Sequence, residues 1–451
     1  MEYFASSDIP AVLEYTKNFY FLDDNEFSVI EKDNISFFNK ELNIIYKNYK
    51  TIDLNYSSST KNGYDNFMLK EIFEQPIAII DTIDKYISSE NQRSQWCHSQ
   101  VGIDENNDST ILNYPSIFNK QFAFPDFDLT KDDLINIKQI YIVACGTAMH
   151  AGLVGKNIIE KLCKIPTYVE IASEFRYQDP IINENTLCIF ISQSGETADT
   201  IAALKLAKAM GCKTIAITNV IGSSITREAH FSFYTYAGPE ISVASTKAYT
   251  CQIALICCFA IYMAQILESS NYSILEEFRK ELLSLPEKIH AILQKQEEIK
   301  DIAKQCYLQK DLFFLGRGID YSVSLEGSLK LKEISYIHSE AYAAGELKHG
   351  PIALIENGVY VVGILTDTKL TLKTISNLQE VISRGAKTFV ITNQKLPNIN
   401  FDFVFTIPKT NVFLSPILSV IPLQLFSYYI AKEKGLDIDK PRNLAKSVTV
   451  E

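Results

Sequence analysis

GCKTIAITN, residues 211–219, returns as GAKTFVITN at residues 385–393, with six identities in nine positions at a spacing of 174. Each copy reads as a helix closed by glycine, a short turn and a buried strand. Upstream, Val143-Ala144-Cys145-Gly146 and Phe314-Leu315-Gly316 repeat a strand-plus-glycine signal at a spacing of 170. Apolar runs at residues 140–145, 187–191, 214–217, 312–315, 359–365 and 388–391 alternate with longer segments of helical period. That alternation predicts an α/β fold of parallel sheets covered by helices, and the self-match predicts two tandem copies of one such unit.

Outside the copies the chain changes character. Residues 1–56 carry short alternating apolar runs broken by Asp23-Asp24-Asn25 and Lys32-Asp33-Asn34, the pattern of strands joined by tight turns. From Asn107 to Asp133 the chain is rich in Asn, Asp, Ser and Pro, which predicts a connector whose Phe122, Phe124 and Phe127 need a surface to pack on. At 451 residues, with 47% hydrophobic and 22% charged residues, several cores can be buried. A net charge of −11 argues against nucleic acid as a partner, since phosphate-backbone binding draws on clustered Lys and Arg. The first twenty residues scatter Glu2, Asp8 and Glu14 among apolar positions, so no secretory signal is expected. Ile253–Ala264 is apolar but shorter than the roughly 20 residues of a membrane span, and is expected to be a core helix. No membrane association is expected. Nine cysteines without a C-x-x-C pair suggest reduced, packed thiols and a cytoplasmic protein, with neither a disulfide frame nor a metal site.

ISQSGETADT, residues 191–200, follows one of the apolar runs and precedes the helical segment 197–210, where Ile201, Leu204 and Ala207 form a stripe. Ser192, Gln193, Ser194 and Thr197 therefore stand at a helix N-terminus on the carboxyl side of a parallel strand. Free backbone N–H groups and the helix dipole favour an anion there, and hydroxyls can donate to phosphate oxygens. Ordinary N-capping by Ser194 explains the same composition about as well. A second constellation runs from Tyr321. As a helix to Ile337 it sets Glu326, Lys330 and Glu333 on one face, with Leu325, Leu329, Leu331, Ile334 and Tyr336 on the apolar side. A solvent-exposed Glu-Lys-Glu ladder is the usual meaning of that spacing; in a pocket, the carboxylate beside the lysine becomes a proton-transfer base. His349 lies in a loop before a Gly-Pro break, where an imidazole titrates near neutrality. Gly316-Arg317-Gly318 lacks the third glycine of a dinucleotide fingerprint, because Tyr321 occupies its place.

From Phe4 to Glu451 the sequence resembles the glutamine:fructose-6-phosphate amidotransferases, also called glucosamine-6-phosphate synthases. The resemblance rests on ACGTAMHAG (144–152), EIASEFRY (170–177), SQSGETADT (192–200), ISVASTKAYT (241–250), LKEISYIHSEAYAAGELKHGPIALI (331–355) and PRNLAKSVTVE (441–451). It implies two tandem sugar-isomerase (SIS) domains, at 131–290 and 291–440, and an active-site tail at 441–451. Before them it implies a β-rich remnant of a glutaminase domain at 1–70 and a connector at 71–130. The implied reaction makes glucosamine 6-phosphate from fructose 6-phosphate and ammonia, the entry to amino-sugar biosynthesis, without metal or organic cofactor. A silent sugar-phosphate-binding protein and a plain phosphosugar isomerase or deglycase are the rival readings.

Residue by residue, the resemblance implies that Ser192, Gln193, Ser194 and Thr197 bind the sugar phosphate and that Thr147, Val243 and Ser245 lie near the sugar. Glu333 matches the base that moves a proton between C1 and C2, and Lys330 a further active-site lysine. Lys446 matches the lysine that engages the open-chain ketose. His349 matches the ring-opening residue, supplied by a neighbouring subunit, which implies a homodimer. Two departures stand out. Family members begin with a glutaminase domain bearing an N-terminal cysteine, whereas no cysteine precedes Cys97 here. Glutamine hydrolysis is therefore not expected of this chain, and a truncated gene, a split enzyme with a separate glutaminase chain and a fragment all fit that start. Ala148 stands where many members have Ser, removing one hydroxyl from the phosphate site.

Overall fold

A computed structural model describes residues 60–87 and 121–450 throughout, and residues 3–51 apart from 7–11, 13, 14, 24 and 33. Cys97 and residues 88–120 of the expected connector lie outside the described residues. Two compact units divide the chain at residue 63. In the first, β1 (Asn18–Phe19) pairs with β5 (Lys50–Thr51), while β2 (Phe27–Ile30), β3 (Ile35–Phe38) and β4 (Ile44–Ile45) make an antiparallel sheet.

The second unit opens with α1 (Phe67–Asp84), so the stretch read as connector from residue 71 begins inside a helix. Its apolar positions Met68, Ile72, Ile79 and Ile83 recur at helical spacing and are buried. Asn66 offers no side-chain cap; instead Asp439, from the far end of the chain, accepts the N–H groups of Phe67 and Met68 at 2.9 Å. A carboxylate there satisfies orphan donors and suits the positive end of the dipole.

Two repeats follow. The first runs through α2 (Lys131–Asn136), β6 (Gln139–Ala144), α3 (Gly146–Cys163), β7 (Thr167–Ile171), α4 (Ala172–Phe175), β8 (Thr186–Ile191), α5 (Ala198–Ala209), β9 (Lys213–Thr218), α6 (Ser224–Glu228), β10 (Phe231–Tyr234) and α7 (Lys247–Ile266). Helices α8 (Tyr272–Leu283), α9 (Leu285–Leu293) and α10 (Gln296–Cys306) lead to the second: β11 (Asp311–Gly316), α11 (Ile319–Ser335), β12 (His338–Ala343), β13 (Tyr360–Leu365), α12 (Thr371–Ile382), β14 (Lys387–Thr392), β15 (Phe403–Thr406) and α13 (Ser415–Glu433). Both sheets are wholly parallel, ordered β7-β6-β8-β9-β10 and β12-β11-β13-β14-β15. The order is the same in each, as the self-match predicts. Strand boundaries nevertheless place β11 172 residues after β6, not 170, so Gly146 corresponds to Gly318; both have positive φ, 54° and 57°. The expected pairing of Gly146 with Gly316 is off by two because Gly316 still belongs to its strand.

In a sheet wound this way the chain reverses between the first and third strands of each repeat, and the crevice at their carboxyl ends is where ligands bind. Here that crevice lies between β6 and β8.

Period-two alternation distributes the strand residues over two faces. Ile140, Ile142, Ile189 and Ile215 join one large core, while Val143, Cys188, Phe190 and Ala216 pack under α5. The large core also takes Leu312, Phe314 and Phe389 of the second sheet, so α3, α7, α11 and α13 form a shared helical layer between the repeats. Gln75 of α1 ties this layer together, donating to Gln424 of α13 at 2.8 Å and accepting from Thr250 of α7 at 2.9 Å. Phe124 and Phe127 pack on Phe233, Phe259 and Tyr262, the surface those aromatics required. Helix α7 is long and apolar enough to cross a membrane, but 83% of its most apolar stretch is buried inside the protein.

Close approach within the layer depends on glycine. At Gly327 of α11 an added Cβ would lie 2.7 Å from Leu423 of α13 and 3.0 Å from Phe314. A Gly327→Val substitution is expected to overpack this contact at ~1–3 kcal/mol, lowering the midpoint of a calorimetric melt; an unchanged midpoint would show that α11 and α13 separate without strain.

Candidate functional site

The loop leaving β8 carries the hydroxyl-rich stretch. Ser192 Oγ accepts from Gly195 N at 3.0 Å and lies 2.9 Å from Thr197 Oγ1, and Ser194 Oγ accepts from Glu196 N at 3.2 Å. Gln193 anchors the loop through its carbonyl, which accepts from Asn219 N at 3.1 Å. Gly195 turns the chain at φ 70°, where a Cβ would fall 2.1 Å from Ser223 Oγ, so only glycine fits. Thr197 precedes α5 in extended conformation without capping it. Ser194 caps no regular helix; it pairs at 3.0 Å with Ser447 Oγ of the C-terminal tail, and Val448 O accepts from Ala198 N at 3.1 Å.

One residue before Ser447, Lys446 donates from Nζ to Glu240 Oε2 at 2.7 Å and to Ser242 O at 2.8 Å, and lies 3.5 Å from Ser245 Oγ. Val243, in the same loop, donates its N–H to Asp439 O at 3.0 Å. The tail therefore bridges two loops, the one carrying Ser192, Gln193, Ser194 and Thr197 through Ser447 and the one carrying Val243 and Ser245 through Lys446. Burial alone would raise the Glu240 carboxyl, but the Lys446 ammonium and the N–H groups of Thr246 and Ala248 bring it down to about 2.

Within the helical layer lies a second group. Thr147, just after β6, accepts from Lys330 Nζ at 2.9 Å and donates to Glu326 Oε1 at 3.1 Å. Lys330 sits 2.6 Å from Glu333 and 3.5 Å from Glu326. The Glu-Lys-Glu spacing forms a ladder, yet not on the surface: Glu326 is 0% and Lys330 1% exposed, because α11 is enclosed by α3, α13 and β12. Burial would lower the Lys330 pKa, but Glu326 and Glu333 outweigh it and hold the amine above its ordinary value. Glu240 adds to this, so the two groups share an electrostatic environment. The helix ends at Ser335, two residues short of the expected Ile337, because Tyr336 turns left-handed at φ 59°. Leu325 and Leu329, expected on the apolar side, are half-buried.

His349 stands apart. It is exposed on a 3-10 turn, Glu346–His349, and no hydrogen bond or ion pair links it to either group among the described residues. In repeat 2 the crevice corresponding to the hydroxyl loop is filled from within. Asp320, aligned with Ala148 by the 172-residue strand spacing, is buried and accepts from Thr366 N at 2.8 Å, Asp367 N at 3.3 Å and Thr366 Oγ1. Its own carboxylate occupies the loop; burial outweighs these donors and raises its pKa to about 6.

Sequence reading missed His150, Glu240, Glu71 and Ser447. His150 and Ser447 lie inside motifs already singled out and Glu240 immediately precedes one, but a buried partner shows only in three dimensions. Glu71 on α1 accepts from Ile241 N and Ser242 N, beneath the loop that seats Lys446, while its Oε2 is buried without a hydrogen-bond partner among the described residues. Burial and the neighbouring Glu240 push its pKa up to about 8, so the acid is neutral at pH 7. A carboxyl raised in the fold binds more protons folded than unfolded between about pH 4.5 and 8, so its contribution to stability falls as pH rises through that window. Melting temperatures measured from pH 5 to 8 are expected to decline less in Glu71→Gln than in the native chain; parallel curves would show that Glu71 ionises normally.

The model of the SIS domain matches residues 133–262 and 307–433. Glutamine–fructose-6-phosphate aminotransferase [isomerizing] of Clostridium tetani is 51% identical over 452 residues, covering 100% of this chain and 70% of the relative. The protein of the same name from Thermococcus kodakarensis is 42% identical over 454 residues, covering 100% and 69%. Among solved structures, the C-terminal domain of glucosamine-fructose-6-phosphate aminotransferase from Francisella tularensis superposes with a TM-score of 0.74 at 38% identity, covering 85% of this chain and all of that one. With two SIS domains in tandem and relatives aligned along its whole length, the chain belongs to the family of isomerizing glutamine–fructose-6-phosphate aminotransferases.

Proposed function

We propose that this chain converts fructose 6-phosphate and ammonia to glucosamine 6-phosphate. One observation carries the reading: the half-buried carboxylate of Glu333, paired with the buried Lys330, is tied through Thr147 to the same switch-point crevice that holds the hydroxyl loop. Relatives at 51% identity bear the name of that reaction.

In the reaction as we read it, Ser192, Gln193, Ser194 and Thr197 receive the phosphate, using hydroxyls and loop N–H groups in place of a fixed cation. Ser194 then exchanges its bond to Ser447 for one to the ligand, so binding loosens or reseats the tail. Thr147, Val243 and Ser245 line the sugar. Lys446, released from Glu240 and deprotonated, engages the open-chain C2 carbonyl as a carbinolamine or an imine, the latter with loss of water, and ammonia then takes its place at C2, freeing the lysine amine and leaving the sugar's own C2 imine with the carbonyl oxygen gone as water. Glu333 carries a proton from C1 to C2, a task suited to a half-buried carboxylate held by one cation. Lys330 neutralises charge that develops on the adjacent oxygen. His349 opens the sugar ring; its exposure in a single chain suits a residue that serves a neighbour's site, which makes the working form a homodimer. The free, mostly buried cysteines suit a cytoplasmic setting.

Purified protein given fructose 6-phosphate and ammonium is expected to form glucosamine 6-phosphate, and Glu333→Gln to lower kcat by about 10²–10⁴-fold with little change in KM. Calorimetric binding of fructose 6-phosphate with no product would favour the silent sugar-phosphate binder instead, and turnover that ignores ammonium a plain isomerase. For the shared site, mixing refolded Glu333→Gln and His349→Ala chains, each inactive alone, is expected to restore activity, because a mixed dimer holds one complete site. Failure to complement while light scattering shows mixed dimers would place His349 in its own chain's site.

A further inference from the structure

The buried charges between the repeats extend beyond the residues that this reaction employs. Glu326 is fully buried, and its Oε2 lies 2.7 Å from Nδ1 of His150 on α3. Its Oε1 accepts from Thr147 at 3.1 Å and faces Lys330 at 3.5 Å. His150 is itself 7% exposed and borders a cleft of about 330 Å³ between α11 and β12. Thus an imidazole from repeat 1 and a carboxylate from repeat 2 meet behind the Lys330–Glu333 pair. Among the described residues, no hydrogen bond or ion pair joins either to the hydroxyl loop or the tail.

We propose that His150 and Glu326 are positioning residues for proton transfer at Glu333, acting through Lys330. The inference rests on Glu333 being the base. Lys330 is one ammonium shared by two carboxylates in a region from which water is excluded, and it leans toward Glu333, at 2.6 Å against 3.5 Å. It can lean that way because the oxygens of Glu326 already have donors in His150 and Thr147. Without the imidazole, Glu326 is a buried carboxylate short of a partner, and the cheapest remedy is to draw Lys330 toward it. The ammonium then withdraws from Glu333, which loses the contact that fixes its angle over the sugar. Misplacement of a reacting group by about 1 Å costs up to ~10²-fold in rate.

Other ionisable groups among the described residues face this network. On α11 itself these are Lys330, Lys332 and Glu333. Tyr249 of α7 is a buried hydroxyl whose pKa is raised by burial and by Glu326, so it stays neutral. Glu240, in the loop before α7, acts on Lys330 from the tail side. Lys332, Glu340 and Tyr342 border the cleft beside His150, and the last two bond to each other.

Two variants and a labelled substrate test this in the full chain. His150→Leu removes the ring nitrogen, whereas His150→Asn keeps an N–H donor near the place of Nδ1. In ammonium-dependent synthesis, His150→Leu is expected to lose about 10- to 100-fold in kcat while KM for fructose 6-phosphate changes by less than about twofold. With substrate dideuterated at C1, the isotope effect on kcat is expected to be larger than in the native chain, since proton transfer has become slower. His150→Asn is expected to recover most of the lost rate and the native isotope effect. Native kcat in His150→Leu, or a loss of kcat with an unchanged isotope effect and no recovery in His150→Asn, would overturn the proposal. Those outcomes, with Glu333→Gln inactive, sink the positioning role alone. An active Glu333→Gln would instead remove the base on which it rests.

Discussion

Lys330 is a full positive charge taken out of water at the meeting of two helices, and the contact between the repeats is organised around keeping it paired. Removing an ammonium from water costs several kcal/mol, offset only where opposite charges and hydrogen bonds surround it. Glu326 and Glu333 supply the charge from its own helix, and Thr147 supplies the hydroxyl from the other repeat. That arrangement fixes the rotation of α11 about its axis and its register against α3. The requirement is asymmetric: removal of the ammonium would leave two neighbouring carboxylates without a counter-charge, whereas a wholly apolar layer would hold the sheets together as well. The ion cluster is therefore better understood as a specification of geometry than as a source of stability.

Much of this was written in the sequence and some was not. The central strands were legible because they are buried on both faces and read as continuous apolar runs. The edge strands β7, β10, β12 and β15 were not singled out; His338-Ser339-Glu340-Ala341-Tyr342-Ala343, for one, is mostly half-buried and carries charge, so it offers no continuous apolar run. The hydroxyl loop was visible as composition, but its alternative reading as a cap could be decided only by the bonds of Ser194, which go to Glu196 and Ser447 and not into α5. The Glu-Lys-Glu face of α11 showed its spacing but not its burial, because helical periodicity says which residues share a side and not what covers it. Glu71 and Glu240, 169 positions apart, meet only once α1 has packed beneath the loop before α7.

The tail links these parts. Asp439 caps α1, Arg442 lies over the ring of Tyr336 where α11 ends, Lys446 reaches Glu240, and Ser447 reaches the hydroxyl loop. Each contact falls on a different segment of the chain. Nine residues, 439–447, thus sense both repeats at once, and their last contacts are hydrogen bonds readily exchanged for a ligand's.

Asp320 shows how duplicated halves become unlike. In one copy the cradle at the strand end is satisfied by the chain's own carboxylate; in the other the aligned residue is Ala148, which brings no charge. A single side chain of this kind converts a receptive fold into a finished one, freeing that half to serve as a rigid platform for α11. Ancestral symmetry survives in the order of the strands, while vocation has diverged at one position in each copy.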